Sequence, residues 1–129
     1  MYICVGKNGG KILAIYDYTP YGIYSLGDNL FVDLQQNIYI YVEGNGIDKY
    51  PDGRYYKFGY SGYCDYYGDG RLYKLGDKHF DYYSDNRYYK IGNSHFDYYS
   101  NGKFYKIGDA HFDYYSDGRA YKIGNHYIN

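Results

Sequence analysis

His79, His95 and His111 are each followed two residues later by an aspartate, Asp81, Asp97 and Asp113, so the triplet H-F-D recurs at intervals of sixteen residues. An imidazole and a carboxylate on one face of a strand can bind zinc or move a proton. Whether they do so depends on the path of the chain. In a sheet whose strands follow one another antiparallel, equivalent histidines lie two strands apart, roughly 9.5 Å. That is too far for two imidazoles to share an ion held at about 2.0–2.1 Å. We therefore expect no metal and no cofactor, and read these histidines as polar residues beside a turn. The aspartate-rich segments DYYGDG and YSDGR invite a calcium reading, but EF-hand spacing and the nonapeptide glycine pattern are both missing, and turn chemistry explains them. Ser84, Ser100 and Ser116 precede the turns with no base and orienting acid patterned beside them. No glycine-rich segment has the strand-then-helix setting of a phosphate loop. No catalytic residue is expected, and the chain reads as a non-enzyme.

What remains is tyrosine, 26 of the 129 residues. Tyr67, Tyr83, Tyr99 and Tyr115, with Tyr50 in an earlier unit and Tyr88 beside them, form a column that is the candidate ligand or partner face. Tyrosine offers a large area with few rotors and a hydroxyl, and a repeating ridge suits a protein flank or an extended carbohydrate better than a small metabolite. The alternative is that the rings only stabilise the sheet by cross-strand packing.

These side chains are positioned by a repeat. From Asp65 the chain reads DYYGDGRLYKLGDKHF, DYYSDNRYYKIGNSHF, DYYSNGKFYKIGDAHF and DYYSDGRAYKIGNHYI without insertion. Weaker copies extend it backward, giving one domain over residues 1–129: a half unit at 2–6, units at 15–28, 31–44, 47–59, 64–76, 80–92, 96–108 and 112–124, and a half unit at 126–129. Asp69-Gly70, Asp85-Asn86, Asn101-Gly102 and Asp117-Gly118 are pairs favoured in two-residue type I′ hairpin turns. The later Gly-Asp and Gly-Asn pairs, such as Gly92-Asn93, fit type II′ turns or the start of a four-residue loop. Between turns lie five to seven residues rich in Tyr, Phe and Ile. A two-residue turn at Asp85-Asn86 pairs Tyr83 with Tyr88, Tyr82 with Tyr89, Asp81 with Lys90 and Phe80 with Ile91. It places Phe80, Tyr82, Tyr89 and Ile91 on the face to be buried, and Tyr83 and Tyr88 on the other.

A sixteen-residue period suits either an antiparallel meander or a parallel solenoid. In a solenoid Asp65, Asp81, Asp97 and Asp113 would stack about 4.8 Å apart, as would Lys74, Lys90, Lys106 and Lys122; in a meander acid faces base. The meander is favoured. The expected fold is all-β: an antiparallel meander of about sixteen short strands built from 16-residue hairpin repeats, as a single-layer rolled sheet or a closed barrel. Such strands are too short for an outer-membrane barrel, which needs about 9–11 residues per strand.

The ends suggest self-association. Tyr2, Ile3, Cys4 and Val5 match the second strand of the unit, and Tyr127 and Ile128 the first, so pairing the two ends continues the repeat. The edges would meet within one molecule or between molecules, forming filaments or rings. The interleaved charges, net -1, argue against nucleic acid as a partner. With no signal peptide and no membrane span legible, and with Cys4 and Cys64 outside any motif, a cytoplasmic location with reduced thiols is expected; signal-independent export stays open.

YYSNGKFYKIG (residues 98–108) resembles the YY-x-N-G-K core of the MORN-type repeat of bacterial repeat proteins. DGRYYKFG (residues 52–59) is similar to the aromatic core of clostridial and streptococcal cell-wall-binding repeats. Both resemblances imply hairpin following hairpin, and the first implies a single-layered meander.

Overall fold

A computed structural model describes residues 1–128; Asn129, the end of the half unit at 126–129, lies outside the described residues. All sixteen strands are antiparallel to their neighbours, and there are no helices among the described residues. They form two sheets. The first contains β1 (Tyr2–Gly6), β2 (Ala14–Tyr16), β3 (Tyr24–Gly27), β4 (Leu30–Val32) and β5 (Ile38–Tyr41), in the order β2-β1-β5-β4-β3. The second is an eleven-stranded meander in chain order: β6 (Ile47–Lys49), β7 (Tyr55–Phe58), β8 (Gly62–Tyr66), β9 (Leu72–Leu75), β10 (Lys78–Tyr82), β11 (Tyr88–Ile91), β12 (Ser94–Tyr98), β13 (Phe104–Ile107), β14 (Ala110–Tyr114), β15 (Ala120–Ile123) and β16 (His126–Tyr127).

Residues 47–124 follow the expected hairpins, whereas residues 1–46 do not form a single-layer meander. β2 and β3, the two halves of unit 15–28, sit on opposite edges of the first sheet and never pair. The reason lies in the residue pattern. The later strands alternate buried and exposed side chains, but Ile3, Cys4 and Val5 of β1 and Ile38, Tyr39 and Ile40 of β5 are all buried. Continuous apolar runs are covered on both faces, and β1 and β5 become central strands paired with each other. β1 is flanked by β2 and β5, so Tyr2, Ile3, Cys4 and Val5 are not an open edge as expected. Of that expected pair of edges only β16, with Tyr127, ends a sheet, and Ile128 extends its ladder through a bond from its N–H to the Tyr121 carbonyl (2.9 Å). The opposite edge is β6, three exposed residues that include Asp48 and Lys49 and are followed closely by Pro51, devices that discourage edge pairing. Among the described residues no pairing joins the two edges into a barrel.

The two sheets share one core. Ile3, Val5, Leu30, Val32, Ile38 and Ile40 of the first meet Phe58, Leu72, Phe80, Tyr88, Phe96 and Phe104 of the second. Polar contacts fix the seam. The Tyr88 hydroxyl donates to the Val5 carbonyl (2.7 Å), which lies at an irregularity in β1, and accepts from the Gly10 N–H (3.3 Å). Gly10 lies so close to Tyr82 that a Cβ there would overlap the phenol oxygen. The buried Lys78 ammonium lies 3.4 Å from Asp28 in the turn between β3 and β4. Burial pushes the Cys64 thiol up to about 12 and raises that of Cys4, so both stay protonated, free thiols.

Tyr88→Phe removes only a hydroxyl, yet strands the Val5 carbonyl and the Gly10 N–H in the core. Urea denaturation should show a loss of about 1–3 kcal/mol, against less than about 0.5 kcal/mol for Tyr89→Phe on the exposed face. Equal effects would place Tyr88 outside the seam.

Candidate binding face

The face is set by the turn that closes each hairpin. In β10–β11 the Tyr83 carbonyl accepts from the Asn86 N–H (3.0 Å), while the Tyr83 N–H donates to the Arg87 carbonyl (2.9 Å). The loop therefore has three residues, Ser84-Asp85-Asn86, not the expected two, and its last residue is left-handed: Asn86 at φ 72°, with Gly53, Gly70, Gly102 and Gly118 in the equivalent places. The shorter turns match a type II′ form, Gly92 having φ 60° with Ile91 opposite Ser94.

A three-residue loop shifts the register by one, and a bulge restores it. Phe80 faces Ile91 and Asp81 faces Lys90 as expected, but Tyr82 faces Tyr88, leaving Tyr89 as the extra residue. The expected faces of Tyr88 and Tyr89 are thereby exchanged: Tyr88 is 0% exposed and Tyr89 42%. Tyr88 leaves the candidate face, and its burial pushes the phenol far above its ordinary range.

The other expected residues reach the outer side, Tyr83, Tyr99 and Tyr115 exposed and Tyr50 and Tyr67 half-buried. They are joined there by tyrosines the sequence reading missed, Tyr73, Tyr89 and Tyr105. The rings form edge-to-face rows: Tyr67–Tyr73–His79 with centroids 5.1 Å and 5.1 Å apart, Tyr83–Tyr89–His95 at 5.3 Å and 5.3 Å, and Tyr99–Tyr105–His111 at 5.0 Å and 5.3 Å. Tyr50–Tyr56–Tyr63 makes another row, with Tyr63 in the histidine place. The histidines thus pack on tyrosine edges, and the described residues contain no group of three potential metal ligands. The hydroxyls of Tyr73, Tyr83, Tyr89 and Tyr105 have no intramolecular hydrogen-bond partner among the described residues, whereas Tyr67 donates to the Phe80 carbonyl (3.2 Å) and Tyr99 to that of Phe112 (3.4 Å).

Beside each row the hairpins are locked together. Arg87 is held by Asp85 (Nε to Oδ2, 2.7 Å) and lies between two rings, its guanidinium carbon 4.9 Å from the centroid of Tyr83 and 4.6 Å from that of Tyr98 in the next hairpin. Arg71 sits likewise between Tyr67 and Tyr82, and Arg54 between Tyr50 and Tyr66. Each such contact contributes about 0.5–1 kcal/mol at an exposed site. The inward tyrosine then donates to the carbonyl at the preceding bulge: Tyr98 to Tyr88, Tyr82 to Leu72 and Tyr114 to Phe104, at 2.6–2.7 Å. The column Tyr67, Tyr83, Tyr99 therefore belongs partly to the scaffold. Cross-strand aspartates and lysines face each other in register, Asp81 with Lys90 and Asp97 with Lys106, but none of these pairs closes to a salt bridge among the described residues, leaving their polar atoms to solvent or a ligand.

Comparison of the chain with protein-family models, curated proteins and solved structures gives no match. No helix of the described residues is long and apolar enough to cross a membrane.

The loop aspartates predict a pH response. Asp52, Asp69, Asp85 and Asp117 are held below the usual carboxylate range, chiefly because each accepts the backbone N–H of the arginine two residues on. Depressed folded pKa values give stability that is present above the unfolded value and lost as pH falls through the folded one. The thermal midpoint should drop between about pH 5 and pH 2. Changing all four to Asn, which keeps an acceptor without titrating, should flatten that part of the profile. An undiminished acid slope would assign it to other groups.

Proposed function

We propose that the chain is a non-catalytic repeat module whose outer aromatic face binds or scaffolds an extended partner, a carbohydrate or a protein segment lying across the strands. The observation that carries this reading is the set of exposed Tyr-Tyr-His rows with unengaged hydroxyls at Tyr73, Tyr83, Tyr89 and Tyr105. Equivalent groups return every two strands, about 9.5 Å in a flat sheet, so one hairpin presents one copy of a ring edge, a phenol, a carboxylate and an ammonium. A partner with a matching repeat gains from each added hairpin, as linked binding events do. The likeness of residues 98–108 to MORN-type repeats fits a module built for display. Self-assembly through terminal strands is a weaker reading, because β1 is an interior strand and β6 is short and charged.

Tyr73, Tyr89 and Tyr105 are the residues to change, because they face outward without clamping an arginine. The triple Tyr→Ser variant should keep its β-sheet circular dichroism. Its retention on insoluble polysaccharides (cellulose, chitin, peptidoglycan), or its capture of proteins by crosslinking, should fall at least about tenfold, roughly 1.4 kcal/mol. Retention and capture equal to wild type would dismiss this face.

A further inference from the structure

The inner side of each bulge carries a large residue in four hairpins, Tyr55, Leu72, Tyr88 and Phe104, and alanine in the fifth, Ala120. Each faces the core: Leu72, Tyr88 and Phe104 are fully buried. At Ala120 the side chain that would fill this place is missing, and a cavity of about 610 Å³ opens between the last hairpin and the loop joining β4 to β5. The loop reaches across without filling it. Gln36 donates from Nε2 to the Tyr114 hydroxyl (2.9 Å), and Leu34 stays 49% exposed at the mouth. Ala120, Ile123, Ile128 and Leu34 make one wall apolar, while Gln36, Asn101 and the charged rim make the rest polar.

The rim is cationic. Among the described residues Lys7, Lys103 and Arg119 border the cavity against one lining carboxylate, Asp33, with Asp117 paired to Arg119 beside it. Asp33 is already saturated: its two oxygens accept from the Gln35 and Asn37 N–H groups, the Asn37 side-chain amide and the Tyr39 hydroxyl, at 2.8–3.1 Å. Lys103 donates to the Gly118 carbonyl (2.9 Å) and retains two further N–H donors. Arg119 contacts Asp117 on its Nε edge and leaves its two terminal guanidinium nitrogens free of hydrogen bonds among the described residues. A concavity that joins an apolar wall to convergent polar groups suits a small amphipathic molecule, and the sign of the rim selects the ligand's head group.

We infer that the chamber at Ala120 is a binding site for a small amphipathic anion, an aromatic or short acyl group carrying a carboxylate or sulfonate, with its apolar part over Ala120 and Ile123 and its charge between Lys7, Lys103 and Arg119. The site meets the outer tyrosine face only at Tyr115, which lines both, and needs no repeat partner.

The test uses two fluorescent probes that share an apolar body, anilinonaphthalene sulfonate and the neutral N-phenylnaphthylamine, titrated into the full chain. The sulfonate should bind saturably at one site per chain, at least about tenfold tighter than the neutral probe, and should weaken in about 0.5 M salt. Ala120→Phe, which restores the residue found at Phe104, should abolish binding and raise the thermal midpoint. Lys7→Gln with Arg119→Gln should bring the sulfonate down to the affinity of the neutral probe. This pair leaves the core intact, so it decides the matter if Ala120→Phe does not fold. No saturable binding, equal affinity for the two probes in wild type, or unchanged sulfonate binding in the double variant would each overturn the assignment. So would unchanged binding in folded Ala120→Phe.

Discussion

A three-residue loop closes an antiparallel hairpin when its last residue turns left-handed, and the strand it feeds must absorb the odd residue somewhere. Asn86 and the glycines in its place satisfy the first requirement, and the bulge at Tyr89 the second. Much else follows from that one count. It sends Tyr88 inward, where its hydroxyl ties the second sheet to the backbone of the first, and turns Tyr89 outward between Tyr83 and His95. It also frees the carbonyl that the next hairpin's tyrosine caps. Core and candidate face are two outcomes of the same turn.

The outer side is held by polar and aromatic contacts more than by apolar burial. Arg54, Arg71 and Arg87, each anchored by its own loop aspartate, are wedged between tyrosines of adjacent hairpins, so these three loops brace the following unit. The inner side is conventional: phenylalanine, isoleucine and leucine from both sheets, with no buried side-chain nitrogen or oxygen left without a partner among the described residues. Solvent-facing hairpins rich in tyrosine would be marginal alone, and the five-stranded sheet supplies the cover that makes a core.

The hairpins of residues 47–124 were legible because strict alternation and turn residues leave few registers, and the opposition of Asp81 to Lys90 follows from that pattern alone. The exchange of Tyr88 and Tyr89 was not, since Asp-Gly and Asp-Asn serve two-residue and three-residue loops equally well. The arginine or lysine after each loop, with an aspartate or asparagine two before it, was the available sign of the longer form. The second sheet was missed for a related reason. The runs ICV and IYI lack alternation, which marks strands buried on both faces, yet their spacing mimics the repeat. The candidate face was read in half: Tyr83, Tyr99 and Tyr115 reach it, while Tyr73, Tyr89 and Tyr105 needed the bulge to be seen.

Near-identical hairpins in tandem face a threading hazard, because the array could slide past its cover by one whole unit with most ring contacts preserved. The salt bridge between Lys78 and Asp28 works against this. At the equivalent places in neighbouring hairpins stand Gly62, Ser94 and Ala110, none of which can answer a carboxylate with a charge. A slipped chain would part the buried lysine amine from Asp28 and leave it only the more distant, exposed carboxylate of Asp77, 3.8 Å away. One unrepeated side chain thus acts as a key that gives an otherwise periodic ribbon a single alignment.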